Sequence, residues 1–244
     1  MRTSIRILIL AIFIMILGVG TVSARNYVAP TDDITIGAQL YDKWYAVLET
    51  NAPPGNMPIW ERQSTNTRLG PDTWRCSECH GWDYKGSEGA YGSGSHATGF
   101  PNVMKLASGM TEAEIVDHLK GSKDPSHDFS KYIKVTDLEK LAKFVKEGVQ
   151  DNTKAVDAHT LKAIGGNPEK GKNLFDGNCA KCHGPDGKTI VFRTEGINEY
   201  IGSVANRDPY RFLHRTRFGV AGAKDMPIGH DLGWKSNDSV DILA

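Results

Sequence analysis

The residues best suited to chemistry in this 244-residue chain are the thiols and imidazoles of two Cys-x-x-Cys-His motifs. Two thiols at this spacing can add across both vinyl groups of a haem, while the histidine that follows reaches the iron from the same side. This is the pattern of c-type haem attachment. The candidate attachment residues are Cys76, Cys79, Cys179 and Cys182, and the candidate iron ligands from the motifs are His80 and His183.

The cysteine count favours haem over other uses of these thiols. The chain has four cysteines, and all of them lie in the two motifs. A structural zinc site would need a second pair of Cys or His ligands, and none lies close to Cys179 in the sequence. In an exported protein, cysteines usually form disulfides. Here, however, both pairs of cysteines have the spacing of a haem-attachment motif. The sequence therefore predicts two covalently bound c-type haems.

The first 24 residues have the features of an export signal. Arg2 and Arg6 precede an apolar run over residues 7–19, and Val22-Ser23-Ala24 suits a signal peptidase. The apolar run is shorter than a membrane-spanning helix requires, so we predict cleavage and a periplasmic location. An uncleaved membrane anchor is the alternative, and a membrane association is expected only in that case.

Charge excludes one class of partner. Without residues 1–24 the chain has 27 basic and 29 acidic residues, a formal charge of −2. A nucleic-acid-binding protein would be expected to carry a strongly basic stripe, so we predict no nucleic-acid partner. Redox proteins acting as electron donor and acceptor are the expected partners.

Helical patterns surround both motifs. The sequence predicts a helix over residues 34–49, two helices that begin at the capping boxes of Thr111 and Thr136, and a polar linker over residues 149–166. It predicts further helices from Asn167-Pro168 and over residues 209–218, and a last helix that begins at residues 236–238. The proline-rich residues 50–75 are expected to be extended or turning.

An internal repeat relates the two halves. Gly37-x-x-Leu40-Tyr41-Asp42 matches Gly171-x-x-Leu174-Phe175-Asp176, and each copy precedes a Cys-x-x-Cys-His motif. The first cysteine follows the aspartate by 34 residues in the first copy and by three in the second. The first unit therefore contains an insertion of about 31 residues before its motif.

This order of helices and motifs, present twice, resembles two class I cytochrome c domains in tandem. The resemblance implies a mostly α fold with domains at residues 34–148 and 167–244. In that family the first and last helices cross at a small residue beside an aromatic one, which would give this role to Gly37 with Tyr41 and to Gly171 with Phe175. The last helix here is shorter than in the family by a turn or more.

Met226 is the predicted sixth ligand of the second haem iron. It lies 43 residues after His183, beside Pro227 in a loop, and a thioether suits that coordination position. Polar neighbours make it a poor core methionine. His214 and His230 are the alternatives.

His127 is the predicted sixth ligand of the first haem iron. It lies 47 residues after His80, and its sequence separations from the flanking glycine and helix start are each within one residue of those of Met226 in the second unit. Met104, Met110 and His96 remain alternatives, although all three come early in the chain for this fold. His118 is expected to lie at the surface or at the haem edge.

These ligands predict an exported dihaem electron carrier. Two protein ligands on each iron would leave no open position for a substrate, and a thioether raises the potential of a haem relative to a second imidazole. Electrons would then enter near the first haem and rest on the second. Two alternatives stay open: a dihaem enzyme, peroxidase-like or acting on sulfur compounds at haem 1, and a haem subunit of a larger oxidoreductase complex.

Overall fold

The computed structural model describes residues 32–194 and 196–244. The predicted export signal, residues 1–24, lies outside these ranges. Among the residues described, no helix combines the length and the apolar character needed to cross a membrane. The fold is mostly helical, as the sequence predicts.

In the first half, from residue 32 onward, the structure shows five α-helices and several single 3₁₀ turns. The helices are α1 (Asp33–Val47), α2 (Cys76–His80), α3 (Val103–Ser108), α4 (Glu112–Leu119) and α5 (Val135–Lys143), the last continued by a π-helical turn over Phe144–Gly148. The 3₁₀ turns are Pro58–Arg62, Gly70–Trp74, Gly86–Glu88, Gly94–His96 and Pro125–His127.

The second half repeats this helical order and adds one hairpin. Its helices are α6 (Pro168–Asn178), α7 (Ala180–His183), α8 (Ile201–Arg207), α9 (Pro209–Phe218) and α10 (Ser236–Leu243). Strands β1 (Phe192–Thr194) and β2 (Ile197–Glu199) pair antiparallel, with Phe192 opposite Glu199. The hairpin and helices α3 and α8 were not predicted from the sequence, because each is too short to show a clear period.

Side-chain caps fix where several helices begin. The Asp32 carboxylate accepts from the N–H of Thr35 at 3.0 Å, and Asn167 caps α6 through the N–H of Lys170 at 3.1 Å. Thr111 and Glu114 form the expected capping box of α4. The prediction of a capping box at Thr136 is wrong: α5 begins at Val135, and its cap residue makes no side-chain cap bond. Burial of Leu138 and Leu141 positions this helix instead.

The repeated glycines lie where two pairs of helices cross, α1 with α5 and α6 with α10. A Cβ on Gly37 would lie 2.1 Å from the carbonyl oxygen of Lys140, and a Cβ on Gly171 would lie 1.9 Å from that of Asp241. Only glycine allows α1 to approach α5, and α6 to approach α10, this closely. The short last helix is therefore long enough to make its crossing.

The insertion of the first unit is packed against the body of the protein. Met57, Trp60 and Trp74 are buried in the first hydrophobic core. The indole N–H of Trp44 on α1 donates to the carbonyl of Trp74 at 2.9 Å, and that of Trp74 donates to the carbonyl of Gly55 at 3.0 Å. These buried contacts tie residues 50–75 to α1.

The two halves share a buried interface in which α9 lies on α1. The Nε2–H of His214 donates to the carbonyl of Ala38 at 3.1 Å, and its Nδ1 accepts from the hydroxyl of Tyr84 at 2.8 Å. Gln39 donates to the carbonyl of Phe218 at 2.9 Å. The expected linker is also packed, because Val156 is buried and the side chain of Asn152 accepts from Arg217 at 2.9 Å.

An ion-pair network crosses the same interface. Asp42 is 1% exposed and pairs with Arg75 at 2.8 Å and with Arg215 of the second half at 3.1 Å. Burial alone would raise the pKa of Asp42, but the two guanidinium groups outweigh it and hold the pKa well below its usual range. Both guanidinium groups also lie against the ring of Trp82, at 5.8 and 5.2 Å from its centroid.

Acid is expected to destabilise this interface through His214. Burial lowers its pKa to about 4 from an ordinary 6.5. The unfolded chain then binds more protons than the folded chain between these values, so stability falls as the pH drops through that window. The loss between pH 7 and pH 5 is expected to be about 2 kcal/mol, measured by urea unfolding at the two pH values. The charged and titratable groups around this ring are Tyr41, Asp42, Tyr84, Arg215 and Arg217.

The variant His214→Gln provides the control for this pH dependence, because its amide does not titrate. It is expected to be less stable at pH 7 and to lose less stability between pH 7 and pH 5. An equal slope in both proteins would assign the acid sensitivity to other groups.

Candidate haem sites

The first cavity has a volume of about 630 Å³ and brings the first motif together with His127. Cys76 and Cys79 line one side on α2, and His127 ends the 3₁₀ turn of Pro125–His127 on the other. Most of the remaining wall is apolar. The sequence places His80 and His127 47 residues apart, and the fold brings them to one cavity.

The two imidazoles face each other at a distance that suits a shared metal. Their ring centroids lie 6.3 Å apart, with the ring planes at 81°. An ion about 2 Å from one nitrogen of each ring would require a separation of about 6 Å. The separation of the two rings would therefore allow both to bind one iron.

Backbone carbonyls orient both rings. The Nδ1–H of His80 donates to the carbonyl of Pro101 at 2.9 Å, and that of His127 donates to the carbonyl of His118 at 3.3 Å. Each bond fixes a tautomer and leaves Nε2 as the free nitrogen. Burial, then the neighbouring His127, lowers the pKa of His80 to about 4, and burial also lowers the pKa of His127. Both rings are therefore held in the neutral form that binds metals.

Two of the three alternatives to His127, Met104 and His96, lie outside the lining of the first cavity. Met110 and His118 also line the cavity. His96 contacts Arg68 at 3.3 Å and the ring of Tyr91 at 5.9 Å, outside the cavity lining. Met104 packs against the first core without lining the cavity. Among these side chains, the His127 ring is the one paired with the ring of His80.

The second cavity has a volume of about 750 Å³ and contains the second motif with Met226. Cys179, Cys182 and His183 line it from α7 and its preceding residue, and Met226 lines it from the loop between α9 and α10. Phe212 and Trp234 contribute to its largely apolar wall.

Neither alternative to Met226 lines this cavity. His214 is buried between the two halves and makes hydrogen bonds with both of its ring nitrogens. His230 lies near Asp32, with 3.3 Å between its Nδ1 and the carboxylate, and 3.2 Å from the hydroxyl of Thr35. The fold thus leaves Met226 as the sulfur donor on this cavity.

His183 differs from His80 in its hydrogen bonding. Its Nδ1 is buried, and within the described ranges no protein group is bonded to it. Burial lowers its pKa, so this ring is also held neutral. A ring whose Nδ1 has no partner is less firmly oriented than one held by a carbonyl.

Both cavities fit a covalently attached haem. Each one places two thiols and a neutral imidazole beside apolar walls, and each adds a nitrogen or sulfur donor from a later loop. Burial raises the pKa of Cys76 to about 12 and that of Cys179 to about 11. Both thiols are therefore protonated at physiological pH while they are free.

Several lining residues were not predicted from the sequence. Ile59 and Arg62 reach the first cavity from the insertion, and Arg215 reaches the second from α9. These residues belong to no motif, and only the helix period of α9 gave a partial signal for Arg215.

The described residues form a mostly helical fold, and the lining of its second cavity suits a c-type haem. Residues 168–234 match the family model for cytochrome c, and this range contains the second motif and Met226. This part of the chain is a cytochrome c domain, which implies a covalently bound haem and electron transfer. No curated protein and no solved structure matches the chain.

Proposed function

We propose that the protein is a dihaem cytochrome c, built from tandem domains at residues 34–148 and 167–244, that carries single electrons between periplasmic redox partners. The observation that supports it most directly is the first cavity. In this cavity the first motif, with His80, lies close to His127. The first and last helices of this unit cross at Gly37, as those of the second unit cross at Gly171.

The residues of each cavity have distinct parts in this function. Cys76 and Cys79 hold the first haem, and Cys179 and Cys182 hold the second. His80 with His127 would bind the iron of the first haem, and His183 with Met226 would bind that of the second. When bound, each haem supplies a one-electron redox centre. The apolar walls exclude water, and fixed ligands limit the rearrangement that accompanies a change of charge.

The ligand sets favour a direction for the electron. A histidine–methionine pair gives a higher potential than a bis-histidine pair, so the second haem is the better acceptor. The interface of α9 with α1 supports transfer within the molecule, because Tyr41 lines the first cavity and contacts His214, whose neighbour Arg215 lines the second.

The number of haems is tested by removing one attachment site at a time. The holoprotein is expected to have the mass of the chain, cut after Ala24, plus two haems. The variants Cys76→Ala/Cys79→Ala and Cys179→Ala/Cys182→Ala are each expected to lose one covalently bound haem, measured by intact mass and haem absorbance. If the wild-type protein contains one haem, or if the first variant loses none, the dihaem proposal is wrong.

The ligands and the carrier role are tested by spectroscopy. Low-temperature electron paramagnetic resonance of the oxidised protein is expected to show two low-spin species, one bis-histidine and one histidine–methionine. A redox titration is expected to show two separate potentials. The reduced protein is expected to bind carbon monoxide poorly, and the oxidised protein is expected to bind cyanide poorly. Rapid binding of either ligand at the first haem would favour the enzyme instead.

A further inference from the structure

The insertion of the first unit lies against the loop that carries His127. Its 3₁₀ turn Pro58–Arg62 reaches the turn Pro125–His127, and both turns contribute to the lining of the first cavity. The insertion provides Ile59 and Arg62 to this wall, and the loop provides Asp124 and His127. Two segments more than 60 residues apart in the chain therefore meet beside the cavity.

Arg62 bonds to two residues of that loop. Its guanidinium group contacts both carboxylate oxygens of Asp124, one of them at 2.9 Å, and donates to the hydroxyl of Ser126 at 3.1 Å. A guanidinium group that binds a carboxylate through two nitrogens holds it in a defined orientation.

Asp124 in turn organises the turn that ends at His127. Its carboxylate accepts from the N–H of Ser126 at 3.0 Å, and its backbone carbonyl accepts from the N–H of His127 at 2.8 Å. The ring of His127 is further fixed by the carbonyl of His118 and by edge contact with Phe129, at 5.2 Å between ring centroids. A displacement of Asp124 would therefore also displace His127.

We propose that Arg62 is a positioning residue that holds His127 on the first haem, and that the insertion provides this clamp. The inference rests on the proposed function, because it requires His127 to be the sixth ligand. It gives the insertion a specific role: the clamp keeps the loop closed, so that the first haem retains both protein ligands and resists small exogenous ligands.

The clamp lies at the surface, so its effect is modest and sensitive to salt. The side chain of Arg62 is 55% exposed and that of Asp124 is 30% exposed. An exposed pair is weak, so its removal is expected to change the population of the open loop by only about fivefold. Salt screens such a pair, so raising the ionic strength is expected to open the loop in the wild-type protein.

The test uses the oxidised holoprotein and cyanide as the probe ligand. Arg62→Gln and Asp124→Asn are each expected to bind cyanide at the first haem about fivefold more tightly than wild type, because apparent affinity follows the open fraction. Asp124→Asn keeps a side-chain acceptor for the turn, so it removes chiefly the charge. Arg62→Lys is expected to lie between wild type and Arg62→Gln. The double variant is expected to match the single variants, since both remove one interaction.

Lys105→Gln is the matched control. Lys105 pairs with Glu88 at 3.0 Å at an exposed site of the same unit, and neither residue lines the first cavity, so this variant is expected to bind cyanide as wild type does. High salt is expected to increase cyanide binding in wild type and to leave Arg62→Gln nearly unchanged. Thermal unfolding of each variant verifies that the fold is retained.

Two outcomes would overturn the proposals, and they differ. If His127→Ala binds cyanide readily while Arg62→Gln and Asp124→Asn behave like Lys105→Gln, His127 is the ligand and the clamp is wrong. If His127→Ala leaves the spectrum and cyanide resistance of the first haem unchanged, His127 is not the ligand. In that case the proposed ligation of the first haem fails together with the clamp.

Discussion

Gly171→Ala is expected to destabilise the second domain by about 3 kcal/mol, at the upper end of what overpacking costs. The added Cβ would lie 1.9 Å from the carbonyl oxygen of Asp241 and 2.8 Å from the backbone nitrogen of Ile242. Both are backbone atoms of α10, so no side chain can move aside. The clash can be relieved only if α6 and α10 separate. Their separation would expose the apolar groups that the crossing buries.

Gly177→Ala is the matched control on the same helix. A Cβ at Gly177 would meet nothing within 4 Å, so the substitution only removes backbone freedom from the unfolded chain. It is expected to leave stability unchanged or to raise it by about 0.5–1 kcal/mol. Chemical unfolding of both variants, followed by circular dichroism and haem absorbance, measures the difference. Equal stability of the two variants would show that the crossing is looser than described.

His127→Met is expected to raise the potential of the first haem by on the order of 100 mV or more, because a thioether would replace an imidazole on the iron. The His127 side chain is enclosed by its own loop, α4 and Phe129, and methionine has the flexibility to occupy that space. In the proposed dihaem protein the two haems would then have similar ligand sets, and the potential difference proposed between them would shrink.

The second haem provides the internal control for this variant. Its potential and its methionine-type spectrum are expected to stay as in wild type, because His127 lines the first cavity and Met226 the second. A redox titration followed at both haem signals measures this. If the first haem keeps its potential and a bis-histidine signal in His127→Met, another histidine is its ligand. His118 would then be the first to examine, since it also lines the cavity.

The interface between the two halves would affect electron transfer between the two proposed haems. His214 and Asp42 are each 1% exposed and are contacted from both halves, so the interface is built from buried, directional bonds. Breaking one partner of a buried charge pair costs far more than breaking an exposed pair. The separation of the two cavities is therefore set by the fold of the chain.

Much of the fold follows from local sequence. Asn167 and Pro168 start α6, residues 209–218 form α9, and Thr111 with Glu114 starts α4, because capping and period are local properties of the chain. The prediction at Thr136 failed because a buried stripe outweighed a local cap. The segment of residues 50–75 was predicted as extended or turning, and it forms two 3₁₀ turns whose tryptophans are buried.

The sequence by itself determined the chemistry of the second site. Spacing fixes which thiols can reach one haem and which histidine follows them, since these are covalent and near-neighbour relations. The loop context beside Pro227 indicated Met226, and the internal repeat then indicated His127 at the same register, although both lie more than 40 residues from their motifs. His127 lies near His80 because the chain folds back to the first cavity 47 residues later. The centroids of the two rings are then 6.3 Å apart.

Only the tertiary structure decided what surrounds those ligands. The contact of Arg62 with Asp124 joins residues 62 positions apart, and the contacts of Asp42 with Arg215 and of Tyr84 with His214 join residues more than 100 positions apart. Single charged or polar side chains carry no periodic signal, and their partners depend on which helices pack together. The insertion is likewise visible as extra length in the sequence, but its place beside His127 comes from the burial of its own aromatic side chains against α1.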